Sequence, residues 1–393
     1  MRSRRAGVVA IVVAVVALLV LVMAEFVSCG NGSERTAPTT FTTPRDTGTV
    51  SPTLPSTTGP TTPPTTVSAG PWQTGMNGTA GLDDAELNRE LDAIAATGVK
   101  WVRKDFYWAF IQGNGPDSYD WRDTDRYVEG VISRGMQVLG LAAYTPAWAR
   151  PHGTGDHHPP LNPDWYAQFM FQAAKRYAPL GVHAWEIWNE PNVDSFWQPR
   201  PDVARYAAML ERAYLAIKAA DPEATVIVGG LSPGGDRSDG TTLSPRTFLT
   251  RLYDAGAGHA FDAVALHPYS FPALPLEAKD WNPFYNAPTL YQVMVDHGDA
   301  RKKIWGTEFG AATSGPGSVS QDFQRQVVVA GYRAWAAWPF TGPLFVYQFR
   351  DSADDPGDRE ANFGLVNFDG RPKPALLGFE SEVVALERRV ERN

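Results

Sequence analysis

From Gly70 onward the chain alternates short apolar runs with longer stretches in which apolar residues recur every three or four positions. The runs "WQTGMN" (72–77), "VKWVRKDF" (99–106), "MQVLGLAAY" (136–144), "VHAWEIWN" (182–189), "ATVIVGG" (224–230), "FDAVALHP" (261–268), "KIWGTEFG" (303–310) and "PLFVYQF" (343–349) have the length and make-up of buried strands. Between them, "DDAELNRELDAIAATG" sets Leu87, Leu91 and Ile94 on one helical face, with Asp83 placed to cap it. "PDVARYAAMLERAYLAIKAA" reads as a helix with Pro201 in its first turn and a stop before Asp221-Pro222. "SQDFQRQVVVAGYRAWAAW" and "KPALLGFESEVVALERRV" repeat the pattern. Eight strand–helix units over roughly 320 residues predict an α/β chain forming a single (β/α)8 TIM barrel. The alternative is an open doubly wound sheet. It would carry a glycine-rich nucleotide turn after its first strand, and none is present.

The first 70 residues follow different patterns. "MRSRR" precedes an unbroken apolar run from Ala6 to Ala24, which predicts a signal peptide, a lipoprotein signal or an N-terminal anchor within residues 1–30. Cys29, the sole cysteine, stands where bacterial lipoproteins are lipidated, although Phe26 and Glu25 depart from the usual residues there. All three readings put the remainder outside the cytoplasm, associated with the cell envelope or secreted. Residues 31–70 include "TAPTTFTTPRDTGTVSPTLPSTTGPTTPPTT", too poor in apolar residues to offset the entropy of ordering. They are expected to be a disordered Pro/Thr-rich linker, leaving residues 71–393 for the barrel. The net charge of −8, without a cluster of Lys and Arg beyond the first five residues, argues against nucleic acid as a partner. The expected catalytic domain is monomeric and meets a membrane only through its N-terminal segment.

In a barrel of this kind functional side chains sit at the carboxyl ends of the strands. Here those ends carry Arg103 and Asp105, Tyr144 with Trp148, Asn189 and Glu190, His267 and Tyr269, Glu308, and Tyr347 with Gln348. Glu190 ends the fourth run and Glu308 the seventh, so a ring held across the mouth can meet both. Glycoside hydrolysis requires such a pair: one carboxyl protonates the leaving oxygen and the other attacks the anomeric carbon or activates water. Glu186 shares the parity of Glu190 but lies four residues earlier, about 13 Å lower along a strand. That exceeds the roughly 5–9.5 Å spacing of glycosidase pairs. Glu186 therefore reads as a structural group inside the barrel, with Arg103 a suitable partner. Asn189 and Glu190 are adjacent and can share one sugar only if the strand end kinks; Pro191 is placed to end the ladder there.

"WNEP" ending the fourth strand, "HPY" ending the sixth and "GTEFG" ending the seventh resemble the large clan of retaining (β/α)8 glycoside hydrolases, closest to family 39 and the cellulase-like family 5. "FGLVNFDGRPKPALLGF" (363–379) also resembles the segment before their last helix, and the likeness covers roughly residues 72 to 388. The resemblance implies Glu190 as acid/base and Glu308 as nucleophile, without a cofactor or metal. It implies that Asn189 holds the sugar 2-hydroxyl, Tyr269 bonds the nucleophile, His267 lines the pocket near it, and Arg103 keeps it ionised. Trp148 and Tyr347 are the expected sugar platforms, although many clan members place a tryptophan where this chain has Tyr347 or Gln348.

"HGTGDHHPP" (152–160) has no metal-binding spacing and reads as a solvent-facing loop, as does "DSADDPGD" (351–358), which lacks the full calcium-loop pattern. The expected substrate is a carbohydrate, an extracellular or cell-envelope polysaccharide or oligosaccharide. The alternatives are a non-catalytic carbohydrate-binding barrel and a transglycosylase using the same residues. The loop "SFPALPLEAKDWNPFYNAP" after the sixth strand is the place where groove or closed pocket would be decided.

Overall fold

The computed structural model describes residues 73–79 and 81–390. The expected targeting segment (1–30) and linker (31–70) lie outside the described residues. Eight parallel strands form a closed barrel in chain order: β1 (Thr74–Asn77), β2 (Trp101–Tyr107), β3 (Gln137–Ala143), β4 (Ala184–Asn189), β5 (Thr225–Leu231), β6 (Ala263–Leu266), β7 (Lys303–Phe309) and β8 (Thr341–Val346). The connections carry α1 (Asp84–Ala96), α2 (Trp108–Ile111), α3 (Arg122–Ile132), α4 (Pro163–Tyr177), α5 (Val203–Ala220), α6 (Pro245–Asp254), α7 (Ala287–Asp296) and α8 (Gln321–Trp335), and α9 (Pro374–Val390) follows β8. The predicted barrel is the observed one. Among the described residues no helix is long and apolar enough to cross a membrane.

Local signals set the helix starts. Asp83 caps α1 in a reciprocal capping box with Glu86. Helix α5 starts two residues later than the proline signal predicts: Asp202 accepts from the Arg205 N–H at 3.0 Å and is the cap, so Pro201 stays outside. The side-chain acceptor outcompetes proline's preference for a first turn.

Two apolar layers and one polar layer position the site. Most of the core lies between strands and helices, built on large rings such as Trp185, Trp188, Tyr166 and Phe169. Inside the barrel a smaller cluster of Leu139, Ala184, Ile227, Ala263, Ala265, Trp305 and Phe345 packs with Trp101. Gly75 is in register with both Trp101 and Phe345, which fixes that level of the interior. Two residues further along, Asn77 is in register with Arg103, and the interior turns polar.

The strand ends depart from regular alternation. Trp188 and Glu190 have φ of 72° and 45°, a conformation that L-residues seldom adopt. The Trp188 ring packs outward against Tyr166 and Trp197, leaving Asn189 and Glu190 for the mouth. This is the kink that two adjacent site residues require, and it begins one residue before Asn189. The β5–β6 and β7–β8 pairings each contain register shifts near the same end. Bulges of this kind re-aim side chains next to active sites.

Gly229 backs the kink: a Cβ there would meet the Trp188 carbonyl oxygen, and the Ile187 carbonyl oxygen at 2.6 Å. Backbone cannot yield as a side-chain tip can. Gly229→Ala is expected to destabilise the fold by about 1–3 kcal/mol, read by urea denaturation. Wild-type stability in that variant would mean the kink is not held from behind by β5.

Candidate active site

Arg103, 5% exposed, reaches across the interior from β2. Its Nε and Nη2 donate to the two Glu186 oxygens at 2.8 and 3.2 Å, and Nη1 donates to Glu308 Oε1 at 2.6 Å. Nη1 also reaches Asn77 Oδ1 at 3.1 Å, and Nη2 reaches Asn189 Oδ1 at 3.0 Å. Burial works against the charged guanidinium, but Glu186 and Glu308 outweigh it and hold the pKa above the usual arginine value. Glu186 is fully buried and also accepts from the Gly230 N–H at 2.8 Å and the Thr307 hydroxyl at 3.1 Å. It is the structural partner of Arg103 that its depth implies.

The other two glutamates face one another across the mouth. Glu308 Oε2 accepts from the Tyr269 hydroxyl at 2.9 Å. His267 Nδ1 lies 2.8 Å from Glu190 Oε1 and 3.5 Å from Glu308 Oε2. Ligating atoms of Glu190, His267 and Glu308 all lie within 4.8 Å of one another. Retaining glycosidases hold their carboxyls about 5–5.5 Å apart, whereas inverting ones need about 6.5–9.5 Å to admit water between them.

Burial pushes the Glu308 carboxyl up. The charges of His267 and Arg103, with hydrogen bonds from Tyr269 and Arg103, outweigh that and leave it below its ordinary value. Burial likewise depresses the His267 imidazole, but the facing Glu308 and Glu190 raise it above its usual value. Nδ1 is the ring nitrogen that faces Glu190. The other ring nitrogen, Nε2, is buried with no partner among the described residues. It lies against Gly230, where a Cβ would collide with it.

A family profile described as Cellulase (glycosyl hydrolase family 5) matches residues 66–327. The chain belongs to glycosyl hydrolase family 5. Among solved structures it resembles a family 39 glycoside hydrolase from Bacteroides cellulosilyticus WH2 at 23% identity and TM-score 0.67, over 81% of this chain and 64% of that one. It also resembles a GH5_18 protein from Streptomyces cattleya, solved in complex with GlcNAc, at 18% identity and TM-score 0.63 over 81% of each chain. A third is a monomeric β-xylosidase from Caulobacter crescentus CB15, at 19% identity and TM-score 0.56, over 80% of this chain and 69% of that one. At these identities the likeness is one of fold. The chain spans less than two thirds of the length of the Bacteroides enzyme.

In this family 5 chain Arg103, Asn189, Glu190, His267, Tyr269 and Glu308 converge as the strand-end rule predicts. Asn189 is oriented by Arg103 through its oxygen, and no described residue accepts from its Nδ2. Tyr347 stands at the mouth, its ring 6.5 Å from Tyr269 and 5.5 Å from Phe363. Trp148 is half-buried after β3. Its indole N–H donates to the Gln112 carbonyl at 2.7 Å and its ring packs against Trp108 and Trp165, which holds it in the loop layer. The Tyr144 ring, on a residue with φ of 72°, lies 4.9 Å from Tyr107 and 4.6 Å from His157. Asn77 and Thr307 also enter the polar layer. Asn77 ends a strand run, the signal that could have marked it as it marked Tyr144.

Two loop readings change. His157 packs on Phe196 and Tyr144, and its Nδ1 meets the Ser195 carbonyl at 2.5 Å, so it does not simply face solvent. Asp351 is buried and pairs with Lys373 at 2.8 Å, because the loop after β8 folds back under α9.

Glu190, His267 and Glu308 have metal-ligating spacing. Glu308 Oε2 already accepts from the Tyr269 hydroxyl, Glu190 Oε1 faces His267 Nδ1, and the Arg103 charge stands 2.6 Å from Glu308. This chemistry suits proton transfer more than cation binding.

Because Glu308 is held below its unfolded pKa, its ionised form stabilises the fold above about pH 4.3, and that contribution disappears as pH falls through the lower folded value. The unfolding free energy of wild type minus that of Glu308→Gln should therefore shrink from about pH 5 to about pH 2, measured by urea denaturation. A difference that grows toward acid would mean that Glu308 is not held ionised.

Proposed function

We propose that this family 5 protein is a retaining glycoside hydrolase acting on O-glycosidic bonds of an extracellular or cell-envelope polysaccharide. The observation that carries the proposal is the approach of the Glu190 and Glu308 carboxylates within 4.8 Å, with opposite hydrogen-bonding environments. Glu308, held ionised by Arg103 and Tyr269, attacks the anomeric carbon while the Glu190 proton passes to the leaving oxygen and the glycosidic bond breaks. Water then gives its proton to Glu190 and attacks the same carbon, releasing Glu308. His267, bonded to Glu190 and close to Glu308, holds that carboxyl in place through both steps. Asn189, held by Arg103, and the Tyr144 and Tyr347 rings orient the sugar.

A polymeric substrate is supported by aromatic side chains that continue away from the carboxylates. On one side Phe110 stacks on Tyr107 at 4.1 Å, followed by Tyr144, His157 and Phe196. On the loop after β6, Trp281 and Tyr285 are exposed. A location outside the cytoplasm belongs to the same proposal and is supported by the basic–apolar start and Pro/Thr stretch of the sequence.

Incubation with activated 2-deoxy-2-fluoro glycosides of xylo, gluco and manno configuration should add one glycosyl mass, mapped by peptide mass spectrometry to Glu308. Glu308→Ala should abolish turnover, and Glu190→Gln should slow aryl glycosides with poor leaving groups by about 10²–10⁴-fold while sparing activated ones. A protein that binds polysaccharide but takes no label, with all three forms equally inert, would instead be a binding barrel.

A further inference from the structure

Every other carboxylate at the mouth is answered by protein. Glu186 and Glu308 have Arg103, Glu190 has His267, and Asp156 accepts from the Tyr107 hydroxyl at 2.5 Å. Asp105 has no hydrogen bond or ion pair among the described residues. It lies two residues beyond Arg103 and two before Tyr107 on β2, so the three share the inward face. Arg103 is buried and Asp105 is exposed, which sets the Asp105 carboxylate at the opening directly above the polar layer.

The two cations that act on it, Arg103 and Lys104, make no hydrogen bond or ion pair with its carboxylate. The Arg103 donors are engaged, and Lys104 points the other way, over the Tyr127 ring at 4.7 Å. Protein surrounding Asp105 raises its pKa. Arg103 and Lys104 oppose that rise more strongly than Glu308 and Glu186 add to it, so the group lies within the electrostatic field of Arg103 and of the carboxylates alike. The Tyr107 and Tyr144 rings stand beside it. A carboxylate at the opening without a hydrogen-bond partner, beside aromatic rings, lacks donors that a ligand can supply.

Building on the glycosidase reading, we propose that Asp105 is a specificity-determining residue: it accepts hydrogen bonds from hydroxyl or ammonium groups of the bound sugar, so that the site takes neutral or amino sugars and rejects uronic acids. Hydrogen bonds to an ionised acceptor are roughly twice as strong as neutral ones. A site built to bond a donor rejects an analogue lacking it far more strongly than an apolar pocket rejects a missing methylene. A uronate would bring a further negative charge to Asp105 and Glu308, and the Arg103 donors among the described residues are already engaged.

The test uses 2,4-dinitrophenyl β-glycosides of glucose, mannose, glucosamine and glucuronic acid with the full chain, Asp105→Asn and Asp105→Ala, each checked for an unchanged melting temperature. Wild type should favour its best neutral or amino substrate over the glucuronide by at least about 10²-fold in kcat/KM. The glucose and glucosamine arms distinguish hydroxyl from ammonium recognition. Asp105→Ala should raise KM on the preferred substrate about 10–100-fold with a smaller change in kcat, and Asp105→Asn should narrow the gap to the glucuronide. Wild type preferring the glucuronide, or both variants retaining wild-type kcat/KM and selectivity, overturns the role of Asp105 and leaves the glycosidase intact. No turnover of any of the four, with no fluoro-sugar label on Glu308, overturns both.

Discussion

The guanidinium of Arg103 is shared between two glutamates and two asparagines in the interior of the barrel, and the geometry of the mouth is built around it. Glu186 is too deep to meet solvent and Glu308 is nearly so. Two carboxylates so placed repel each other unless a cation lies between them. The planar fork of arginine can address both at once and still reach Asn77 and Asn189. A lysine ammonium supplies the charge but not the spread of directions. Three strand ends, β1, β4 and β7, are thus fixed relative to β2 by one side chain.

Around that pair the backbone is arranged to present adjacent residues to one opening. The left-handed turn at Trp188 sends a large ring into the outer core, and Glu190 takes a second left-handed conformation directly before Pro191. Such strain persists only when the surroundings over-determine it. Here the indole packing, its N–H to the Phe196 carbonyl and the Gly230 carbonyl bonded to the Glu190 N–H supply that support. The β7–β8 bulges serve the same purpose for Glu308, whose neighbour Thr307 turns inward to Glu186.

The sequence made the barrel readable because eight apolar runs and the helices between them carry strong periodic signals, and strand ends in such a fold point to chemistry. Glu190, Glu308, Arg103, His267 and Tyr269 were legible on that basis, as was Glu186 from its depth. The packing of Trp148 was not legible, because it depends on where the indole N–H finds an acceptor, here the carbonyl of Gln112. Asn77 has an ordinary residue type at a strand end, and only the register distinguishes it. His267 was placed beside the nucleophile, but its closer contact is Glu190; that distinction rests on the β5–β6 bulge, which periodicity does not report.

The layer of Trp101, Trp305 and Phe345 beneath Arg103 has a further consequence. Side chains stopper the cylinder from below, so it is not a tunnel. Whatever occupies the mouth must therefore arrive and depart past the same rim of strand-end loops, because no second exit leads out through the bottom of the cylinder.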